Sequence, residues 1–474
     1  MGRTSSPGLA ATGIAAVLLM AGCGAQYRPV VSAINPVGPA GQPTKYAVAV
    51  SNPGPGLLGL LTIVDFSGDT VLSTPSILTD PSYFQVTSDG TEGFVVNPQG
   101  SFNDFGLGNP TSLETKDVVQ ATLPAGLTPV SISALIPAGL STTLFIPETQ
   151  TTSQPASIAI LNVTGPSLLQ QVVVPNNPVY VVGANQASRV YAISQGSVAG
   201  ANGTVSSLEA ASPLSVSATI PVGVKPVYGV MTSDDRRAFI LNEGSATVSV
   251  INVINNGLDV TTPVIPNPST CGTFTPVICT LGSNPVWADL SPKTSQLVVL
   301  SAGDGTHAGS LAIVNIPLCT SVSQTNNPNC NASNPVDATG FGQVQASVAV
   351  GINPTMVSVL QDGTAAYVVN GLDSTGQCAA GEGSVSVVSL VTDTVTATIC
   401  GISTAAATQT ATTTPGFIYG HPNSIAATVG TPTGKVYVTS PDNQFMSVIY
   451  TDTNTVQTHI DMQGLGLRVL VTAP

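Results

Sequence analysis

The tract PSYFQVTSDGTEGFVVN (81–97) recurs along the chain in altered letters at constant spacing. PVYVVGANQASRVYAIS (178–194), PVYGVMTSDDRRAFILN (226–242), PVWADLSPKTSQLVVLS (285–301) and PTMVSVLQDGTAAYVVN (354–370) share its plan. A proline opens each copy, and Asn or Ser closes it sixteen residues later. Between those ends lie two runs rich in β-branched and aromatic residues, parted by a turn in which Asp89, Asp234 and Asp362 share a column. Looser copies start at Pro129 and Pro422. A period near 50 residues, built of strand-sized apolar runs, specifies stacked β units, each too small to bury its own face.

The second half of each unit is as regular. ASIAILNV (156–163), ATVSVINV (246–253), GSLAIVNI (309–316), GSVSVVSL (383–390) and QFMSVIYTD (444–452) read as third strands. VVQATLPAG (118–126), VSATIPVG (216–223), VTATICG (395–401) and VQTHIDMQG (456–464) read as fourth strands. Alternating branched and small residues suit strands packed on both faces. Four antiparallel strands per unit at this period predict propeller blades. A β-sandwich needs roughly 100 residues, twice the period. The Asp column fits turn formation, since Asp side chains accept bonds from the backbone two residues on.

DGTAAYVVN (362–370), DGTEGFVVN (89–97) and GKVYVTS (434–440), each followed by a VSVI-like strand, resemble the YVTN-type β-propeller repeats of bacterial surface-layer and lactonase-like proteins. The resemblance covers about residues 45–472 and implies the fold. Its letters serve turns and packing, so it implies little about activity.

Seven units begin with a proline. Before them stand KYAVAVSN (45–52), LLTIVDF (60–66) and TVLSTPSIL (70–78), and after them the lone strand of LGLRVLVTAP (465–474). Pairing the C-terminal strand with the N-terminal runs makes one more blade and removes an exposed edge. The expected fold is therefore an all-β propeller of four-stranded antiparallel blades, eight counted, closed by that pairing. Seven is the alternative, because it is the commoner number in the resembling family and the Pro129 unit is the weakest.

Residues 1–22 read as an export signal: Arg3, an apolar stretch from Leu9 to Met20, then LMAGC. The stretch is too short for a permanent span. LMAGC resembles the lipobox of bacterial lipoproteins, which implies lipidation of Cys23 and a membrane anchor. Met20 departs from the usual Leu, and an ordinary secretory signal is the alternative. Residues 23–44, rich in Pro and Gly without periodicity, read as a tether, and 45–474 as a single propeller domain. The expected location is outside the cytoplasm, on the outer membrane or cell surface.

The other cysteines are Cys271, Cys279, Cys319, Cys330, Cys378 and Cys400. Proline-to-proline distances of 48, 49 and 48 rise to 59, 69 and 68 in the units starting at Pro226, Pro285 and Pro354. Each enlarged unit holds one cysteine pair, and the regular ones hold none. Insertions stapled within their own blade, 271–279, 319–330 and 378–400, are the simplest account among 15 connectivities. No histidine or C-x-x-C spacing accompanies them, which speaks against zinc.

The formal charge is −13, and loss of Arg3 alone takes it to −14 with ten of eleven Lys and Arg left. Nucleic acid calls for a clustered basic surface, which this sequence lacks. The acidic balance weakly favours cationic ligands. A monomer is expected, with the membrane reached through the anchor and a protein or glycan partner at the envelope.

Chemistry has little to work with. Among three histidines, His307 sits in a polar turn and His459 on a fourth strand, while His421 precedes Pro422 near the expected channel mouth. No catalytic residue, cofactor or metal site is assigned. Two positions after the proline stand Tyr83, Tyr180, Tyr228, Trp287 and Met356, with Ser131 and Ser424 in the other units. This column reads either as packing between blades or as an aromatic collar around a central funnel, with Tyr83, Tyr180, Tyr228, Trp287 and His421 as ligand contacts. A binding or interaction scaffold is the expected function. A lactonase-like hydrolase is the alternative.

Overall fold

The residue before a repeat proline decides how each unit begins. Asp80, Asn177, Lys225, Asn284 and Asn353 precede Pro81, Pro178, Pro226, Pro285 and Pro354, all with φ between 49° and 56°. This left-handed region is visited by Asn and Asp more readily than by other side chains. The proline then opens a strand at a place where its missing N–H costs no ladder bond. Across the sheet interface the same prolines meet glycines. A Cβ on Gly203, Gly309 or Gly383 would lie 2.4–2.5 Å from the ring of Pro226, Pro354 or Pro422, so at these three junctions Gly stands where the next unit's proline seats.

The computed structural model describes residues 45–472 except 88, 109, 124–125, 139, 141, 164–166, 269–277, 292–294, 318–339, 403–415 and 429–433. Cys23, Cys271, Cys319 and Cys330 therefore lie outside the described residues, as do the signal and tether. In the Pro178 unit, Pro178–Val182, Arg189–Ser194, Asn202–Glu209 and Val216–Val224 pair antiparallel in chain order. The Pro81 and Pro422 units repeat that order.

The other sheets depart from it for local reasons. The Pro129 unit is also a sheet, but its first strand is split into Thr128–Pro129 and Ser133–Leu135, both on Thr143–Thr149, which explains its weak motif. In the Pro226 unit the last strand is split into Gly257–Leu258 and Val264–Ile265. The Pro285 and Pro354 units share the strand Gln343–Val359, which ends one unit and begins the next, and with Ile418–Tyr419 added parallel to Thr394–Ile402 they form one eight-stranded sheet. Near the N-terminus, Tyr46–Asn52 pairs with Leu58–Asp65 on one side and with Leu465–Val471 on the other.

Second strands are buried along their length; Arg237–Asn242 and Gln296–Ser301 have no exposed residue. Both faces are covered by neighbouring sheets. One cluster joins Phe239, Leu241 and Val250 of the Pro226 unit to Leu297, Val299 and Val314 of the Pro285 unit. Another joins Tyr437, Met446 and Val448 of the Pro422 unit to Ala47, Ala49, Val64 and Val469. First strands adjoin in the same series, and Leu465–Val471 lies between Ser424–Ala427 and Tyr83–Val86. Four-stranded antiparallel sheets packed face to face in this way are the construction of a β-propeller.

Candidate ligand-binding site

The first strands carry a shared irregularity that aims side chains inward. Pro178 faces Ser194, yet Tyr180 faces Ile193, because one residue is skipped between them. The same slip sets Tyr228 against Leu241, Trp287 against Leu300 and Met356 against Val369. A bulge of this kind bends the strand and re-aims a side chain. Leu465–Val471 makes it too: Gly466 faces Ser51 and Arg468 faces Val50. Gly466 thus stands where the other strands have proline, and a Cβ there would meet Thr439 at 2.8 Å. Arg468 stands in the aromatic column. Sequence reasoning missed it because this strand has no proline to mark its register; Gly-Leu-Arg aligned on Pro-Val-Tyr is the signal that was there to find.

The column comes together in space. The Tyr180 and Tyr228 rings lie 4.8 Å apart, and Tyr228 stacks on Trp287 at 4.1 Å and 16°. The Arg468 guanidinium lies 5.4 Å from the Trp287 centroid and 4.4 Å from that of Tyr83. The other members are slender. Ser131 donates to the Val179 carbonyl at 2.9 Å, and Ser424 accepts from the Val469 amide at 3.2 Å while contacting the Met356 sulfur. Two cavities of about 310 and 260 Å³ remain, and Gln85, Tyr180, Tyr228 and Asp289 line both. Trp287, Met356, Ser358 and Arg468 complete the larger. A cleft of about 740 Å³ over Ser245–Thr247 and Cys279–Ser283 has no charged side chain among its described lining.

Arg468, part-buried with its Nε covered, is electrostatically unlike the fully buried cations. Arg237 pairs with Asp259 at 3.0 Å and Lys435 with Asp69 at 2.7 Å. Arg468 has no carboxylate within ion-pair distance among the described residues, and its buried Nε has no hydrogen-bond partner. Asp289 accepts from the Leu290 and Val359 amides, both at 2.8 Å. Burial outweighs those bonds and pushes its carboxyl up to about 6. Burial likewise raises the phenols of Tyr180 and Tyr228, which stay protonated at neutral pH.

His421 is not among the residues lining either cavity. Its Nδ1 meets Asp442 Oδ2 at 2.6 Å and its Nε2 the Gly381 carbonyl at 2.9 Å. Both ring nitrogens face acceptors, so the imidazolium satisfies both where the neutral ring satisfies one. It is a strut tying the start of the Pro422 unit to the 373–383 loop. Asp442, then the Gly381 carbonyl, raise its pKa. The strut is therefore complete below the usual histidine value and is lost as pH rises through the raised one. Hydrogen exchange in 373–383 is expected to quicken across that window, and His421→Gln should remove the pH dependence. A flat profile in the unaltered chain would refute the strut.

His307 bonds Asp304 in an exposed turn, and His459 stacks on Tyr419 at 3.8 Å with Nε2 on the Phe417 carbonyl. Asp89, Asp234 and Asp362 accept from the amides of Thr91, Arg236 and Thr364, two residues on. Cys378 and Cys400 are joined in a disulfide within the Pro354 unit, and Cys279 is disulfide-bonded. The pairings 271–279 and 319–330 involve residues outside those described.

Fold and cavity together define a protein of β-propeller type with a polar and aromatic hollow among its first strands. The chain is similar to the solved structure of the dihydro-heme d1 dehydrogenase NirN in complex with DHE, at 12% identity and a TM-score of 0.56, over 90% of this chain and 75% of that one. A functionally unknown protein from Desulfotomaculum acetoxidans matches at 11% identity and 0.48, over 90% and 99%, and Kuenenia stuttgartiensis hydrazine synthase at 15% and 0.44, over 68% and 91%. At such identity the first likeness speaks to the fold alone, and the other two carry no argument. No protein-family model and no curated protein matches the sequence.

Proposed function

We propose that this chain is an exported, lipid-anchored β-propeller of eight blades that binds a small ligand in the hollow between its first strands. The observation that carries the binding reading is the Tyr180–Tyr228–Trp287 stack meeting Arg468 at the wall of a 310 Å³ cavity. Large rings and a few charged groups, here Arg468 and Asp289, set among apolar walls are the usual make-up of a small-molecule site,. The count of eight takes each half of the eight-stranded sheet as one blade, and the N-terminal strands with Leu465–Val471 as another. First-strand contacts running from Ser424–Ala427 through Leu465–Val471 to Tyr83–Val86 support it. Anchoring rests on LMAGC (19–23), and the YVTN resemblance on the repeat letters; Cys23→Ala should move the protein to the soluble fraction, and continued membrane retention would count against lipidation.

Trp287 is the chain's only tryptophan, so its emission reports directly on the cavity. A library of small cations, neutrals and anions screened by Trp287 fluorescence should yield compounds that also raise the melting temperature. Both responses are expected to vanish in Tyr228→Ala. A library that moves neither signal, or a response indifferent to Tyr228, overturns the binding reading. A lactonase-like hydrolase is the second reading, favoured by Asp289, a carboxyl held near 6 in the same wall,. Turnover lost in Asp289→Asn with ligand binding intact would favour it.

A further inference from the structure

Resting on the binding reading above, we infer that the ligand is a small organic carboxylate with a planar body, held by Arg468 with its body against Trp287 and Tyr228. Arg468 carries an energetic cost. A guanidinium taken out of water loses several kcal/mol of solvation unless a counter-charge and hydrogen bonds replace it. Arg237 and Lys435 show how this fold meets that cost, each with an aspartate at 3.0 Å or less. Among the described residues Arg468 receives the ring faces of Tyr83 and Trp287 and a hydrogen bond with the Tyr83 hydroxyl, but no carboxylate. Ring contacts do not neutralise the guanidinium, and its covered Nε has no hydrogen-bond partner, which suits it to a planar acceptor, the geometry that selects carboxylates.

Two features give the rest of the ligand. Tyr180 and Tyr228 are protonated phenols and can donate to the same anion, whereas a cation would find the wall's one positive charge already in place. Beside Arg468 the wall turns apolar, with Met356, Ile425, Ala426 and Leu470, next to the exposed edge of the Tyr228–Trp287 stack. Cavities of about 150 Å³ accept a benzene ring, so 310 Å³ holds a ring with a carboxylate. The chain's charge of −13 opposes anions at long range, but salt screens exposed charges beyond about 8–10 Å. Recognition must then be local to Arg468. This replaces the weak expectation of a cationic ligand drawn from net charge.

Benzoate, benzamide, benzylamine, cyclohexanecarboxylate and inorganic phosphate, titrated against the full chain by Trp287 fluorescence, test the inference. Benzoate should bind at least about 10-fold more tightly than benzamide, the span expected of a hydrogen bond to a charged group. It should also exceed cyclohexanecarboxylate and phosphate, and benzylamine should be weakest. Arg468→Gln should erase the preference for benzoate over benzamide. The ligand series on the unaltered chain decides the matter even where the variant fails to fold. Benzamide or benzylamine binding as well as benzoate overturns the inference and leaves the binding reading standing. Phosphate or cyclohexanecarboxylate matching benzoate overturns the planar body. No binding by any probe, while the broader library yields ligands, overturns the inference alone; failure of both removes the reading beneath it.

Discussion

Deleting residues 465–474 is expected to abolish cooperative unfolding or to lower the melting temperature by on the order of 10 °C or more. Leu465–Val471 lies antiparallel along Tyr46–Asn52 from Ala47↔Val471 to Asn52↔Leu465. Its loss leaves the backbone donors and acceptors of a fully buried strand unpaired, at about 1–3 kcal/mol for each that stays dry. Val469, with no exposed surface, leaves the cluster shared by Ala47, Tyr437 and Met446, and Leu467 and Leu470 leave the one around Val50 and Phe84. Each buried aliphatic contributes about 1.5–3 kcal/mol. The total rivals the 5–15 kcal/mol that holds a typical protein folded. Val469→Asp should reproduce much of the loss in a chain of full length. A peptide spanning 463–472, added to the truncated chain, should restore part of the transition by adding the missing strand. A truncated chain that melts where the whole one does would mean that the N-terminal sheet stands without its last strand.

The hairpins were legible because their signals are local. Glu92–Val96, Arg237–Asn242 and Ala365–Leu372 follow an Asp-led turn and are rich in β-branched and aromatic residues, so turn chemistry and strand propensity agree. Asn202–Glu209 (NGTVSSLE) and Ser101–Gly106 (SFNDFG) went unread, since serines, asparagine and glycine hide the alternation and only the neighbouring sheets bury them. TVLSTPSIL reads as one run, but Thr70–Ser73 and Ser76–Thr79 are separate strands on either side of Pro75. The aromatic column was legible from the period alone. Its role was not, because Tyr180, Tyr228 and Trp287 meet only through the assembly of three units. Arg468 belongs to the same column through a bulge, and with Gly466 in place of the proline its register was marked only faintly.

Asp69→Ala should cost about 3–5 kcal/mol, the range for breaking a buried ion pair. Asp69 lies in the turn after Leu58–Asp65, whereas Lys435, Tyr437 and Tyr450 belong to the Pro422 unit. The carboxylate takes Lys435 Nζ at 2.7 Å, the Tyr437 hydroxyl at 3.0 Å and the Tyr450 hydroxyl at 3.3 Å. Lys435 and Asp69 are 8% and 9% exposed, so water cannot replace either partner. Without Asp69 the ammonium keeps the Phe66 carbonyl at 2.6 Å and the Tyr450 ring at 5.0 Å, and the Tyr437 and Tyr450 hydroxyls lose their acceptor. Asp69 also holds φ at 54°, where alanine adds strain of about 1 kcal/mol and asparagine little. Asp69→Asn should therefore be milder than Asp69→Ala yet clearly destabilising, because it keeps an acceptor and the turn but loses the charge. Lys435→Met should cost less again, since the two phenols still satisfy the carboxylate. Combining Asp69→Asn with Lys435→Met should recover much of the loss, as replacing both charges removes the desolvation cost that either alone leaves behind. Denaturant midpoints of the four proteins give the coupling directly. If the two single changes simply add, the pair is not what joins the Pro422 sheet to the first, and apolar contact between Tyr437, Val64 and Ala49 must hold that interface unaided.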